Sequence, residues 1–280
     1  MTKVVITAAG KGTRLLPFTK EMPKEMMPIF SNIGKNQKIV LPLLQYVYEQ
    51  LYSMNFRDYC FVVGREKRSI EDHFTPHETY LRDLNGNYKS LIRKFYGKLE
   101  KSHLVWINQN KPIGFGDAVK RAERYVGNED FIMHAGDFTI LSKKKNHPVL
   151  RLIKTAKENP DAKAILLCKK VHDSKRYGVP TISKISDKTF VVKEVIEKPE
   201  KPKSPYGILA LYYFKPDIFS SLKKIKPGKG NEFQLTDGIQ NLIKNDEKVL
   251  AVTLDKDEYE IDVGSVESYK KAMEICYLRA

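Results

Sequence analysis

Val4-Val5-Ile6-Thr7-Ala8-Ala9-Gly10-Lys11-Gly12-Thr13-Arg14-Leu15 joins an apolar, strand-sized run directly to small residues and glycines. Glycines after a first strand let backbone N–H groups approach phosphates closely, because they carry no Cβ. The stretch lacks the G-x-x-x-x-G-K-[ST] pattern of a Walker A loop, and Leu15 occupies the third glycine position of a G-x-G-x-x-G motif. It therefore predicts a phosphate-binding turn in an α/β fold, and it argues against a standard P-loop ATPase or a standard dinucleotide site.

Apolar runs of strand length alternate with helical patterns through the first half of the chain. After 4–8, strands are predicted at 59–63, 104–107, 131–133 and 164–169, and helices at 43–54, 69–74 and 117–125. The polar segment 79–101 is predicted to be a helical insertion. This alternation favours right-handed βαβ units on a mostly parallel sheet, because parallel neighbours need a crossover connection.

The pattern changes in the second half of the chain. Strands are predicted at 177–185 and 190–195, joined by the turn Ser186-Asp187-Lys188, and at 207–214, which precedes a helix from Pro216. A final helix is predicted at 265–278, with Ser265 as its N-cap. We therefore predict an α/β fold in which a Rossmann-like, mostly parallel sheet at 1–170 merges into a mixed α+β lobe at 171–280, as one compact unit.

The composition suits a sizeable core and gives a basic surface. Of the 280 residues 41% are hydrophobic, and 49 Lys and Arg against 34 Asp and Glu give a formal net charge of +15. A basic protein can bind nucleic acid, membrane surfaces or small anions. The lysines are spread out, with only short clusters at Lys143-Lys144-Lys145 and Lys223-Lys224. We therefore favour a solvated surface that attracts small polyanions, and expect no nucleic-acid partner.

Long apolar runs and closely spaced cysteines are both missing from the sequence. No run reaches the length that spans a bilayer, and the chain enters its first strand without the apolar core of a signal peptide. We therefore expect a soluble, cytoplasmic protein with no membrane partner.

Cys60, Cys168 and Cys276 lie far apart within or beside apolar stretches, which predicts buried thiols rather than disulfides or a zinc site.

Two cations follow the glycine-rich turn, Arg14 and the lysine of Pro23-Lys24-Glu25-Met26-Met27-Pro28. Both can neutralise a triphosphate, Arg14 as a fork and Lys24 as a point charge. Together with the turn, this segment resembles the signature of the sugar nucleotidyltransferases, and its Lys-Glu-Met wording resembles the bacterial-type UTP–glucose-1-phosphate uridylyltransferases. The resemblance continues in order through Gly114-Phe115-Gly116-Asp117-Ala118-Val119, Val195-Ile196-Glu197-Lys198-Pro199 and Gly230-Asn231-Glu232-Phe233-Gln234-Leu235-Thr236-Asp237.

The resemblance implies transfer of a uridylyl group from UTP to glucose 1-phosphate, with release of pyrophosphate. The attacking phosphate oxygen is already an anion, so catalysis reduces to alignment and charge neutralisation. The resemblance implies that Arg14, Lys24 and Lys198 are catalytic cations. It also implies Mg²⁺ as cofactor, held by Asp137 after the strand at 131–133 and by Asp262 before the final helix.

The resemblance further assigns residues to the two substrates. The nucleotide is expected to contact the turn after the first strand, and Gln109 to donate to and accept from a pyrimidine edge. Gly114 would let the backbone lie against the base. The full nucleotide set is Ala8, Ala9, Gly10, Gly12, Thr13, Gln109 and Gly114. The sugar is expected to contact Gly178, Glu197 and Lys198. Glu232 is a second-rank candidate, because Glu232 or Thr236 is expected to cap a helix.

One residue departs from the family pattern and leaves the identity of the sugar substrate undetermined by the sequence. After Ser204 the chain has Pro205, where bacterial relatives carry an asparagine that is implied to help bind the sugar. The loop then binds the sugar through backbone groups, or the sugar differs.

Several alternatives follow from these observations. dTTP could replace UTP, because Gln109 suits uracil and thymine alike, and galactose 1-phosphate or an N-acetylhexosamine 1-phosphate could replace glucose 1-phosphate. A nucleic-acid-binding protein is a remote alternative. A pseudoenzyme that only binds nucleotide is disfavoured, because the chain retains all five charged residues implied for catalysis and metal binding: Arg14, Lys24, Asp137, Lys198 and Asp262. Because relatives commonly form dimers or tetramers, we expect a homo-oligomer.

Overall fold

A computed structural model of the chain describes residues 2–33, 37–142, 145–186 and 188–279. Lys143 and Lys144 of the lysine cluster, and Asp187 of the predicted turn, lie outside the described residues.

The strands of the described residues cover every run predicted from the sequence and several more. They are β1 (Lys3–Ala8), β2 (Pro28–Ile33), β3 (Gln37–Pro42), β4 (Asp58–Gly64), β5 (His103–Gln109), β6 (Phe131–Ala135), β7 (Phe138–Leu141), β8 (Ala164–Lys170), β9 (Gly178–Lys184), β10 (Thr189–Glu197), β11 (Tyr206–Phe214), β12 (Val249–Thr253) and β13 (Tyr259–Asp262). The hairpin β2–β3 and the strands β7, β12 and β13 had not been predicted.

The helices likewise include all those predicted, together with α7, which had not been. They are α1 (Leu43–Ser53), α2 (Arg68–His73), α3 (Glu78–Arg82), α4 (Gly86–Leu99), α5 (Phe115–Arg121), α6 (Glu123–Val126), α7 (Pro148–Glu158), α8 (Asp217–Lys224), α9 (Leu235–Lys244) and α10 (Val266–Arg279). Ser265 caps α10 as predicted, because its Oγ accepts a hydrogen bond of 3.2 Å from the backbone N–H of Ser268. No helix within the described ranges is long and apolar enough to cross a bilayer.

Nine strands form one sheet in the order β5-β4-β1-β6-β11-β8-β12-β10-β9. β5, β4, β1 and β6 are parallel neighbours, as are β8 and β12. β11 is antiparallel to both β6 and β8, and β10 is antiparallel to both β12 and β9. Seven strands therefore run in one direction, which confirms the mostly parallel α/β fold. The sheet continues across residue 170, and the division there into two lobes stays a prediction.

Both faces of the sheet are covered by helices, so the central strand is apolar on both sides. Val4, Val5 and Ile6 of β1 are fully buried, because a parallel strand between two helical layers has no solvent face. Val4 and Ile6 pack with α1, α7 and α10, whereas Val5 packs with α5, α8 and α9. All three cysteines are buried as predicted, and burial raises the pKa of Cys60 to about 12 and of Cys276 to about 11.

A buried histidine caps α7. His147 is 5% exposed, and its Nδ1 accepts a hydrogen bond of 3.3 Å from the backbone N–H of Val149. Its Nε2 donates to the carbonyl of Ile140 at 3.2 Å. The ring is therefore neutral in the fold, and burial lowers the pKa of His147 to about 4.

We predict that His147 makes the protein less stable in acid. The unfolded chain binds a proton at this histidine near pH 6.5, whereas the folded chain does not until about pH 4. Stability is therefore complete above pH 6.5 and is lost as the pH falls towards 4. His147→Asn keeps an N-cap acceptor without the titration. Urea unfolding at pH 7.5 and at pH 5 measures how much the free energy of unfolding falls between them. This fall should be about 2 kcal/mol smaller in the variant than in the wild-type protein. Equal losses in the two proteins would contradict this role.

Candidate active site

The glycine-rich turn after β1 is held by its own side chains. Gly12 has φ of +67° and begins a single 3-10 turn at Thr13–Leu15. The Thr19 hydroxyl donates to the Gly12 carbonyl at 2.7 Å, and a Cβ at Gly12 would lie 3.1 Å from Thr19 Cβ. Both the left-handed backbone and the close approach favour glycine at this position.

Lys24 links this turn to the far side of the site. A Cβ on Gly10 would lie 3.2 Å from Lys24 Nζ, so the ammonium lies directly against the turn. The same ammonium forms an ion pair with Asp137, which follows the carboxyl end of β6. Lys24 therefore stands between the glycine-rich turn and the first predicted metal ligand.

Asp137 and Asp262 are brought together by backbone pairing. β7 follows Asp137 and pairs antiparallel with β13, which places Asp262 opposite Phe138. The backbone N–H of Val263 donates to the carbonyl of Asp137 at 3.2 Å. Arg14 joins them, because a Cβ on Gly264 would lie 3.0 Å from Arg14 Nη2 and 3.1 Å from Asp262 Oδ1. Four of the five charged residues predicted for the site therefore meet.

Burial and mutual charge set the electrostatics of these four residues. Burial raises the pKa of Asp262, and the negative charge of Asp137 raises it further. Burial would also raise the pKa of Asp137, but the Lys24 ammonium holds it below its ordinary value. The pKa of Lys24 lies above its ordinary value, because the carboxylates of Asp137 and Glu25 outweigh its burial.

The two aspartates suit one kind of metal. The described part of the chain contains no cluster of three or more His, Cys, Asp or Glu side chains that could hold an ion. Mg²⁺ is often held by only one or two carboxylates, with waters and substrate phosphates completing its octahedron. Two adjacent carboxylates, of which Asp262 has a pKa raised by burial and then by the charge of Asp137, fit this pattern and do not form a closed cage.

A cavity of about 210 Å³ lies beside the turn and collects residues that follow β1, β4 and β5. Ligands of open α/β sheets bind at such carboxyl ends of parallel strands. Its lining includes Ala9, Gly10, Lys11, Lys20, Arg65, Lys67 and Gln109. Ala8 is buried in β1, and Thr13 is exposed; neither lines this cavity.

Lys67 was not singled out from the sequence. It is buried and forms an ion pair of 2.8 Å with Glu25, the neighbour of Lys24. Burial raises the pKa of Glu25, while the Lys67 ammonium opposes that rise. Its position three residues after β4 is the signal that could have identified it, because this is the same edge of the sheet as the glycine-rich turn.

Gln109 lines the cavity, but both hydrogens of its side-chain amide are used in hydrogen bonds within the protein. Its Nε2 donates to the carbonyl of Gly114 at 3.1 Å and to Asp117 Oδ2 at 3.0 Å. Because an amide nitrogen has only two hydrogens, only its Oε1 is left for another partner. Both amide hydrogens therefore have partners within the protein, and the expected contact of Gln109 with a base stays a prediction.

Gly114 and Gly116, which do not line this cavity, connect the start of α5 to Phe233 in the second half of the chain. A Cβ on Gly114 would lie 2.5 Å from the carbonyl oxygen of Phe233, and Gly114 has φ of +134°. The backbone N–H of Gly116 donates to the same carbonyl at 2.8 Å, and the N–H of Phe233 donates to Ile113 at 2.9 Å. Packing against Phe233 thus explains the glycine at 114, and its contact with a base stays a prediction.

We predict opposite effects for two Gly→Ala changes. Gly114→Ala should lower the free energy of unfolding by about 3 kcal/mol or more, because the methyl group meets the Phe233 backbone in a strained conformation. Gly97→Ala is the matched control, since its Cβ meets nothing within 4 Å in α4. Alanine there should raise stability by up to about 1 kcal/mol. Urea unfolding of both variants measures these changes, and a stable Gly114→Ala protein would contradict the packing argument.

A second cavity, of about 170 Å³, contains two of the four predicted sugar residues in its lining. Gly178 and Glu197 line it, and a Cβ on Gly178 would lie 3.3 Å from Glu197 Oε2. The Thr236 hydroxyl donates to the same carboxylate oxygen at 3.0 Å. Lys198 follows as neighbour, with its Nζ 3.2 Å from Glu197 Oε1. Lys198 does not itself line the cavity, and this ion pair places it beside the carboxylate that does.

Glu232 does not join the second cavity. It is exposed and accepts a hydrogen bond of 3.2 Å from Gln234 Nε2. Helix α9 begins at Leu235, which confirms the prediction that 232–237 opens a helix, but its N-cap is Gln234 and it has no side-chain cap. Thr236 lies within the first turn, and its hydroxyl donates to Glu197.

The second cavity shares a lining residue with a third cavity. Tyr177 lines both of them, and the third cavity also contains Asp262. The charge of Asp262 contributes to the raised pKa of Tyr177, after burial. The arrangement can therefore hold a polyanion beside Lys24 and Arg14 and a hydroxylated ligand beside Glu197.

Comparisons with known proteins agree with this geometry. Residues 3–277 match the nucleotidyl transferase family. A UTP–glucose-1-phosphate uridylyltransferase of Streptococcus pneumoniae serotype 4 is 36% identical over 247 residues, covering 86% of this chain and 80% of that protein. The UTP–glucose-1-phosphate uridylyltransferase 2 of Streptococcus pyogenes serotype M3 is 34% identical, covering 97% of this chain and 89% of that protein.

A solved structure supports the same assignment. A UDP-glucose pyrophosphorylase in complex with UDP-glucose superposes with a TM-score of 0.86 and 30% identity, covering 100% of both chains. The chain belongs to the nucleotidyl transferase family. Within that family, the resemblance to UTP–glucose-1-phosphate uridylyltransferases drawn from the motifs is confirmed, and so is the prediction of a nucleotidyl-transferring enzyme.

Proposed function

We propose that this chain transfers the uridylyl group of UTP to glucose 1-phosphate, giving UDP-glucose and pyrophosphate in a Mg²⁺-dependent reaction. The observation that carries the proposal is the meeting of Lys24, Arg14, Asp137 and Asp262 beside the glycine-rich turn. The names of the relatives and of the structural neighbour support UTP and glucose 1-phosphate as substrates.

The nucleotide end is proposed to lie in the first cavity. Its charged lining is Lys11, Lys20, Arg65 and Lys67 against Glu21 and Glu66. An excess of cations in a cleft attracts a triphosphate and speeds its encounter with the protein. The formal charge of +15 on the whole chain acts in the same direction.

The reaction requires neutralisation of the negative charge on the phosphates and no proton transfer. A phosphate oxygen of the sugar phosphate attacks the α-phosphorus of UTP, and the bond to pyrophosphate breaks. The Lys24 ammonium, held in place by Asp137, and the Arg14 guanidinium would balance charge on the reacting phosphates. Asp137 and Asp262 would hold Mg²⁺, which when bound supplies further neutralisation of the phosphates.

The sugar end is proposed to lie in the second cavity. The Glu197 carboxylate can accept hydrogen bonds from hexose hydroxyls, and Gly178 leaves room beside it. Lys198, the neighbour of Glu197, would meet the sugar phosphate. Pro205 in place of an asparagine leaves the loop's backbone as its means of binding, and galactose or N-acetylhexosamine 1-phosphates are the sugars to compare.

Two further properties stay predictions. The resemblance predicts self-association as a dimer or tetramer, and the lack of a membrane-length apolar run in the sequence is the basis for the second prediction, a cytoplasmic location.

The proposal is tested by a panel of nucleoside triphosphates and sugar 1-phosphates, assayed for pyrophosphate release. We expect the highest kcat/KM with UTP and glucose 1-phosphate, and loss of turnover when divalent ions are chelated and restored by Mg²⁺. Preference for dTTP, or for another sugar phosphate, would keep the reaction class and change the substrate. Full turnover without any divalent ion would overturn the metal roles.

Two variants test the charged residues. Asp137→Asn and Lys24→Ala should each lower kcat by about 10²-fold or more, because each removes charge next to the reacting phosphates. The matched controls Asp217→Asn and Lys163→Ala break a partly exposed ion pair of 2.8 Å, whose residues line neither cavity, and should leave kcat unchanged. Thermal unfolding checks that all four variants fold. Near-native rates in both site variants would show that the site is assigned wrongly.

A further inference from the structure

Asp117 lies behind Gln109, in the first turn of α5. Both side chains are almost fully buried, each with 3% exposure. Asp117 Oδ2 accepts a hydrogen bond of 3.0 Å from Gln109 Nε2, whose other hydrogen goes to the carbonyl of Gly114 at 3.1 Å. The opposite amide orientation would place Gln109 Oε1 against two oxygens that have no hydrogen to give. The amide therefore has one permitted orientation.

Asp117 is suited to hold that orientation. Arg121 Nε lies 3.3 Å from its Oδ2, and Lys120 Nζ lies 3.9 Å from its Oδ1. A buried carboxylate requires such compensating cations, and an ionised carboxylate accepts hydrogen bonds without donating any. Asp117 does not line the cavity beside the glycine-rich turn, whereas Gln109 does. Asp117 is therefore linked to the lining of this cavity by its hydrogen bond with Gln109.

One atom of Gln109 is left for the ligand. Among the described residues, no side chain or backbone group donates a hydrogen bond to its Oε1. The cavity wall therefore presents an acceptor at this place, and the amide hydrogens point away from a ligand. Uracil and thymine carry a donor at N3–H, whereas N3 of cytosine is an acceptor.

We propose that Asp117 is a positioning residue that fixes Gln109 as an acceptor, and thereby makes the site reject cytosine nucleotides in favour of uracil nucleotides. This inference rests on the proposed function for the identity of the nucleotide. It gives no discrimination between UTP and dTTP, because both bases carry N3–H. Sites built to pair with a donor discriminate strongly against a ligand that lacks it, because a buried acceptor is left without a partner.

The test is the ratio of kcat/KM for UTP to that for CTP. Asp117→Ala should lower this ratio by about tenfold, because the amide loses one of the two acceptors that orient it. Asp117→Asn keeps an acceptor oxygen and should stay within about threefold of the wild-type ratio. The ratio of UTP to dTTP should not change in either variant. General damage to the fold would lower kcat/KM for UTP, CTP and dTTP by the same factor, so the ratios would not change.

A double-mutant cycle shows whether Asp117 acts through Gln109. Gln109→Leu removes the acceptor and should lower the UTP-to-CTP ratio by at least as much as Asp117→Ala. Adding Asp117→Ala to Gln109→Leu should then change the ratio no further, because the group being positioned is gone. Additive effects, or an unchanged ratio in Gln109→Leu, would overturn the proposal, and Gln109→Leu decides the question if Asp117→Ala fails to fold. Asp217→Ala, at a partly exposed carboxylate in the first turn of α8, is the matched control.

Binding measurements separate this inference from the proposed function. Dissociation constants of UTP and CTP, measured by calorimetry without the sugar phosphate, should show the same change of ratio in Asp117→Ala. If wild-type protein binds UTP but makes no UDP-glucose, the proposed function fails while the binding ratio still tests Asp117. If turnover is as proposed and the ratio is the same in wild type and Asp117→Ala, only the positioning role is overturned.

Discussion

The ion pair between Lys24 and Asp137 is the interaction on which the arrangement of the site depends. It joins the turn after β1 to the end of β6, two central strands that are parallel neighbours. Each partner would be unfavourable alone in this largely buried place, because an unpaired buried charge loses its hydration. The pair lets a cation and an anion, both needed for handling phosphates, lie side by side before any substrate arrives.

Backbone contacts extend this order to the sugar side of the site. The glycines at 114 and 116 allow the Phe233 backbone to touch the start of α5, and α9 follows directly from Phe233. Thr236 on α9 donates to Glu197, and both of these residues line the second cavity. The two motifs Gly-Phe-Gly-Asp-Ala-Val and Asn-Glu-Phe-Gln-Leu-Thr-Asp are therefore parts of one structural joint.

Much of this could be predicted from the sequence, and the reasons for the rest are physical. Hydrophobic periodicity identified the strands and helices of the βαβ half, and motif order placed the charged residues. The short ribbon of β7 and β13 could not be predicted, because four-residue strands have too little pattern of their own and depend on their partners. The internal bonds of Gln109 and the pairing of Glu25 with Lys67 arise from tertiary contacts between residues distant in sequence.

The position of β11 has a consequence for how the chain acquires its structure. This strand, from residues 206–214, separates β6 from β8, although both of those strands precede it by dozens of residues. During synthesis on the ribosome, the edges of β6 and β8 that pair with β11 therefore stay unpaired until residues 206–214 emerge. The nascent chain thus passes through a stage at which its central strands are open to wrong partners, and the molecule closes only when its last third is available.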